Sequence, residues 1–258
     1  MSVSLRQRLR RHPLPVTAFF RHSLVLTYAL PAATLRPLLP PGLVLDSLGD
    51  LGFVAIAMVQ TEGLRPAFLP GAIGQDFFLC GYRIFARFTN RAGRKLRGLR
   101  ILRSTTDRAL MATFGNLLTH YQYRRARVSL MMSGKSWEFK ITTPNGAADL
   151  HLVADLSESA ASLPANSPFQ DWHQARLFAG PLPFTFDYEA DSHSIIVIEG
   201  VRQRWRPIPT RVEVRRNTFF EREPFRGAHP VLASAFRVEN IAYRWKRGVV
   251  EKLSAPTE

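Results

Sequence analysis

Cysteine is nearly absent: Cys80 is the one thiol in 258 residues. No disulfide can close within the chain, and no thiolate metal cluster can be built from it. This suits a reducing compartment. Long apolar runs are missing too. The start, MSVSLRQRLRRHPLPVTAFF, carries charge without the apolar core of a signal peptide. The longest apolar stretch, FVAIAMV at 53–59, has the length of a strand and falls far short of a membrane span. A soluble, cytoplasmic protein with no membrane span is expected. Lysine is scarce as well. Of 35 basic residues only Lys95, Lys135, Lys140, Lys246 and Lys252 are lysine, which leaves thirty arginines against 20 acids and a formal charge of +15. Such a field attracts anions. The arginines are scattered and form no single block, so biased composition is the simpler account of them.

Several motifs are absent. SGKS at 133–136 lacks the upstream glycine of a phosphate loop, where Ser129 stands, and alternating strand residues follow it. The seven histidines show no metal-ligand spacing, so no metal is expected, and no cofactor motif such as GxGxxG opens a helix. No GxSxG elbow exists. YRIFARF and YQYRRARV interleave aromatic and basic residues, as a single-strand nucleic-acid binder does. Alternation on a strand with one wet face gives the same pattern, and no specific nucleic-acid reader is recognisable.

What is present is mostly strand. Alternating or apolar runs predict strands at 23–30, 51–63, 77–90, 96–106, 121–132, 135–143, 147–156 and 193–200, around 210–216 and within 236–253. On the long strand at 77–90, Phe78, Cys80, Tyr82, Ile84, Ala86 and Phe88 share one face. A helix is predicted over 107–118, capped by Thr106, with Leu110, Met111, Phe114, Leu117 and Leu118 as its apolar stripe. A second should start at Ser167, with Pro168 first in the helix and Gln170 closing a capping box. With no repeat and no linker, the chain reads as a basic arm at 1–19 and one domain at 20–253. Its class is α+β, mostly β, with an antiparallel sheet or barrel.

Four stretches, LRPLLPPGLVLD, GYRIFARF, TTDRALMATFGNLLTHYQYRRARV and RLFAGPLPFTF, resemble the bacterial YqjF-like family, a domain of unknown function in the acetoacetate decarboxylase-like superfamily. The resemblance runs from about Phe20 to about residue 250. It implies a strongly curved antiparallel sheet closing into a cone or barrel around a pocket, with two or three short helices. In the decarboxylases, a helix-to-strand junction carries a lysine that forms a Schiff base with the substrate ketone; the handy precedent is a lysine activated by a cationic neighbour. Laid on that junction, this chain has Gln122, Tyr123 and Arg124, and no lysine stands between Lys95 and Lys135. A guanidinium stays protonated and cannot replace the amine. The resemblance further sets Arg21 where an arginine approaches the substrate carboxylate, Leu79 where an acid is expected, Arg83 where an arginine is expected four residues later, and Asn116 at an acidic helix position.

Three readings follow. The first is a pocket protein holding a small, anionic, partly apolar metabolite through Arg21 with Arg83 or Arg124, with Asn116 nearby. The second is a lysine-independent lyase, dehydratase or hydrolase using Tyr123 and His120 as proton carriers. The third is a charge-driven nucleic-acid or membrane-surface module. Homo-oligomer formation is left open.

Overall fold

The computed structural model describes residues 4–179, 182–203 and 205–254. Residues 1–3 of the arm and residues 180–181 of RLFAGPLPFTF lie outside the described residues. The chain opens with α1 (Leu5–Arg10), where Ser4 and Gln7 form a capping box. Then come β1 (Val16–Pro31), α2 (Ala32–Leu35), β2 (Leu43–Leu45), β3 (Leu51–Pro66), β4 (Gln75–Thr89) and β5 (Lys95–Thr106). After α3 (Ala109–Leu118) follow β6 (Tyr123–Arg125), β7 (Arg127–Ser133), β8 (Ser136–Thr142) and β9 (Leu150–Asp155). The last elements are α4 (Trp172–Ala179), β10 (Phe184–Glu189), β11 (Ser194–Arg202), β12 (Ile208–Pro209), β13 (Arg211–Asn217), β14 (Val231–Trp245) and β15 (Val249–Lys252). The expected class, α+β and mostly β, is what the chain adopts.

The larger sheet runs β14–β1–β3–β4–β5–β10–β11, and β11 pairs back with β14, so seven strands form a ring. Most pairings are antiparallel, as expected. Two are parallel, β5 with β10 and β5 with β6. The second arises because the chain leaves β5 through α3, and a helical crossover returns the next strand in the same direction. The smaller sheet, β13–β9–β8–β7, is antiparallel throughout and lies on the outer face of the ring. Strand alternation decides what faces where. Val54, Ile56 and Met58 of β3 and Phe78, Cys80, Tyr82 and Ile84 of β4 point outward into Trp137, Phe139, Ile141, Leu150 and Leu152 of the smaller sheet. Their neighbours Ala55, Ala57, Val59, Leu79, Arg83 and Phe85 point into the ring.

Local expectations shift in several places, beginning with β1, which starts at Val16 within the expected arm, and β2, a strand that was not expected. The strand predicted over 121–132 is two, because Ala126 donates to the Thr106 carbonyl at 2.9 Å and the chain there changes sheets. α4 starts at Trp172: Asp171 accepts from the Gln174 amide at 2.7 Å, while Ser167 donates to the Ala233 carbonyl. α3 starts at Ala109 without the expected Thr106 cap: the Thr106 hydroxyl accepts from the Arg108 amide at 3.4 Å, ahead of the helix, and Asp107 accepts from the Phe78 amide at 2.8 Å. Of its predicted stripe, Met111 is buried and Leu110, Phe114 and Leu117 are exposed. β10 was not predicted at all. SGKS is the β7–β8 hairpin turn, with Gly134 at φ 54°. The arm is tied down: His12 donates its backbone N–H to Leu118, Gly248 donates to His12, and Arg11 pairs with Glu189.

Candidate functional site

The ring encloses a cavity of about 140 Å³. All seven ring strands line it. Phe20, Ser23 and Val25 come from β1, and Ala55, Ala57 and Val59 from β3. Leu79, Arg83 and Phe85 come from β4, Leu99 and Ile101 from β5, and Thr185 from β10. β11 and β14 supply Arg202, Phe236, Tyr243 and Trp245, and Trp205, Pro207 and Leu182 close the loops. The space exists because small side chains, Ala55, Ala57 and Ser23, face inward where large ones would meet.

Three arginines reach a mostly apolar and aromatic wall: half-buried Arg83 and Arg202, and exposed Arg176. None of them has a salt-bridge partner among the described residues. The contrast within β4 is direct, since Arg87 is held by the buried carboxylate of Asp46. Arg83 Nε is shut off from solvent and has no hydrogen-bond partner. Residue 81 beside it is glycine: a Cβ there would lie 2.8 Å from Nε and Nη2, in the place the guanidinium takes. Arg202 is held differently. It donates to the Tyr243 hydroxyl at 3.2 Å and lies over the Trp205 ring, 4.7 Å from its centroid.

The helix-to-strand junction delivers two phenols to the same cavity. Tyr121 and Tyr123 are both buried and both line it. Tyr123 seats its ring over the helix, where a Cβ on Gly115 would lie 2.4 Å from it. Asn116 pins its backbone, accepting from the Tyr123 amide at 2.7 Å and donating to its carbonyl at 2.9 Å. Thr119 accepts from the Tyr121 amide at 3.2 Å, and Gln122 between the tyrosines takes φ 52°. Burial pushes both phenols well above the ordinary tyrosine range, so each is a neutral hydrogen-bond donor. Behind them Asp187 is fully buried. Burial pushes its carboxyl up to about 6, against the pull of Arg100, which pairs with it at 2.7 Å.

The structure thus brings Arg83 and Tyr123 together and leaves the other sequence candidates elsewhere. Arg21 is exposed and bound to Glu62 and Asn240, because β1 bulges beside it and turns its side chain out of the ring. Arg124 alternates with Tyr123 and points outward. Asn116 faces the Tyr123 backbone. His120 lies outside the lining, where burial, then the charge of Arg10, lowers its pKa to about 4. None of the five lysines lines the cavity. Sequence reading passed over Asp187, Arg202, Trp205 and Tyr243. The alternation in FTFDYE was the available sign of Asp187. Gly200 marks Tyr243, whose hydroxyl would lie 2.0 Å from a Cβ there. Among the described residues, no group of three His, Cys, Asp or Glu side chains could hold a metal ion, and no helix is long and apolar enough to cross a membrane.

Comparison with known proteins fits this geometry. The family model of DUF2071, uncharacterised conserved proteins, matches residues 17–239. The chain belongs to this family. No curated protein matches it. Among solved structures it is similar to acetoacetate decarboxylase from Legionella pneumophila, with a TM-score of 0.58 at 12% identity over 92% of this chain and 87% of that one. The enduracididine biosynthesis enzyme MppR complexed with pyruvate has a TM-score of 0.57 at 11% identity over 92% and 90%. An acetoacetate decarboxylase-like enzyme from Sphingomonas wittichii RW1 has a TM-score of 0.56 at 12% identity over 98% of each chain. At these identities the likeness shows the fold: this DUF2071 chain has the acetoacetate decarboxylase-like fold.

Proposed function

We propose that this protein binds a small, partly apolar carboxylate inside the ring, with Arg83 as its anchor. The observation that carries the reading is the Arg83 guanidinium, unpaired with any acid and with a buried, partnerless Nε, in an apolar cavity. A guanidinium N–H shut off from water without a partner is costly, and a bound carboxylate removes that cost through charge-assisted hydrogen bonds. The volume, about 140 Å³, is close to that of an engineered cavity of about 150 Å³ that takes benzene. A short branched or ring-sized acid fits. Tyr121 and Tyr123, as neutral donors, would take the oxygens that Arg83 leaves free. MppR, of like fold, has been seen with pyruvate, itself a small carboxylate. With no lysine in the lining, the ligand is held without an imine.

The test is calorimetric titration of a panel of short keto, branched and aromatic carboxylates, with borohydride added in parallel. Saturable binding that Arg83→Met weakens about tenfold or more supports the reading. A reduced covalent adduct, or affinity unchanged in Arg83→Met, sinks it.

A second reading has its own observation, the two buried phenols sharing the cavity with Arg83. It is a lysine-independent lyase, dehydratase or hydrolase in which Tyr123 moves a proton. Tyr123→Phe should then abolish turnover of a bound acid while affinity persists. Turnover retained in that variant removes Tyr123 from the chemistry.

A further inference from the structure

On the outer face of the ring, away from the cavity, three arginines gather with no acid among them. Arg103 of β5 stands opposite Tyr82 of β4, and Arg124 of β6 stands opposite Thr105, two residues along β5. Side chains alternate along a strand, so Arg103, Thr105 and Arg124 share one face. Tyr82 draws two loops up to that face. Its hydroxyl donates to the Ala148 carbonyl at 3.2 Å, and its ring stacks on Phe219, with centroids 4.2 Å apart. Three residues past Phe219, Arg222 donates to the Asn145 carbonyl at 2.7 Å. Arg103 is half-buried, and its Nε is shut off from solvent without a hydrogen-bond partner. None of the three has a salt-bridge partner among the described residues. Burial first, then the charge of Arg124 and, more weakly, that of Arg222, lower the pKa of Arg103. Like charges held together this way leave a place for an anion.

We propose that Arg103, Arg124 and Arg222 form a binding site for a phosphoryl oxyanion, separate from the ring cavity. The chemistry favours phosphate over carboxylate. One guanidinium fork satisfies the two oxygens of a carboxylate. A phosphate presents more oxygens in a tetrahedron and nearly two negative charges, which suits donors arriving from three sides. Arg124 and Arg222 are exposed and admit the anion, while Arg103 forms the floor.

The test titrates inorganic phosphate into the full chain in chloride buffer, read by calorimetry and phosphorus NMR. One saturable site is expected, with glycerol 3-phosphate competing and acetate failing to compete. Arg124→Gln and Arg222→Gln, at exposed positions that leave the fold intact, should each weaken binding about tenfold. Arg83→Met should leave phosphate affinity unchanged. Vesicles of phosphatidylcholine with phosphatidic acid separate the sources: vesicle binding lost in the same variants assigns the phosphoryl group to lipid and keeps the site. No saturation by either phosphate or vesicles overturns the proposal. So does loss of binding in Arg83→Met with Arg124→Gln and Arg222→Gln at wild-type affinity, which would place the anion in the cavity.

Discussion

The two faces of β4 are built from alternate residues of one stretch, and they differ in kind. Outward, Phe78, Cys80, Tyr82 and Ile84 meet a second sheet whose Trp137, Phe139 and Ile141 fill the space between. Inward, Leu79, Arg83 and Phe85 stand beside Ala55 and Ala57 of the paired strand β3, with Ser23 of β1 beyond, and a cavity remains. Both faces are shielded from water. Only the inner one combines empty volume with a cation that nothing in the chain neutralises. The lesson is that a candidate site can be recognised by what its wall fails to satisfy. Close packing marks the outer face as support, since interiors leave few voids larger than a water molecule.

The largest expected effect tests the packing half of this contrast. Phe139 is 1% exposed. Phe139→Ala should cost about 3–5 kcal/mol in urea unfolding, from lost transfer energy and the hole left behind. Ala57→Leu places added bulk on the inner face instead. It should change stability by less than about 1 kcal/mol, because space is already there, and should abolish ligand binding. Overpacking a filled core costs roughly 1–3 kcal/mol. A loss of that size in Ala57→Leu would show that the inner face is as full as the outer.

Much of the outer face was legible in the sequence, and less of the inner one. The shared face of Phe78, Cys80, Tyr82 and Ile84 follows from alternation alone. So does the inward direction of Arg83, once the outward set is fixed. Whether that arginine meets water or a cavity depends on which strands close the ring. That in turn depends on the β11–β14 pairing, between residues 200–202 and 243–245, and on β10, whose short FTFDYE run follows a Pro/Gly stretch. No local period reports such distant pairings. Arg21 shows the converse failure: a bulge in β1 turns its side chain away from the ring, and bulges leave little trace in composition. Asn116 was read as a ligand contact, yet it holds the Tyr123 backbone, a role that becomes visible only when helix and strand are folded back on each other.

The next effect concerns the charged end of the ring, where α1 and α3 meet β10. Burial lowers His12 to a pKa of about 4, and His120 likewise. Between pH 6.5 and 4 the unfolded chain then binds more protons than the folded one, so stability falls as pH falls. For His12 the loss is at most about 3 kcal/mol, fully expressed below pH 4. Asp187, raised to about 6, works the other way, since its folded form gains a proton before its unfolded form does. Two histidines against one aspartate give a net loss. Urea midpoints measured from pH 7 to pH 4.5 should fall, and Asp187→Asn should steepen the fall. His12→Asn should flatten it, and asparagine tolerates the left-handed backbone at φ 52°. A flat profile in the wild type would mean that this end opens to water and is less closed than the outer face.

A smaller loss, about 2 kcal/mol, is expected for Asn116→Ala, which strips both hydrogen bonds from the Tyr123 backbone in a buried place. Ligand affinity should drop with it, because the phenol loses its setting. Unchanged affinity would separate Tyr123 from the ligand and leave Arg83 and Tyr121 as the inner contacts.

The smallest effect is the most telling because stability and binding should move in opposite directions. On the outer face of β4, the apolar side chains Phe78, Tyr82 and Ile84 pack against the second sheet, and replacing one destabilises the fold. Arg83 should behave otherwise. It has no acid to release and no hydrogen bond at Nε to lose, so Arg83→Met removes a cation poorly solvated by its surroundings and puts a flexible apolar chain of similar length in the same space. Unfolding should shift by about 1 kcal/mol toward greater stability, while affinity for the carboxylate falls. A residue that weakens the free protein and strengthens only the complex has its energetic role in the ligand. If Arg83→Met instead destabilises the chain as Phe139→Ala does, the arginine is part of the packing, and the two faces of β4 are alike after all.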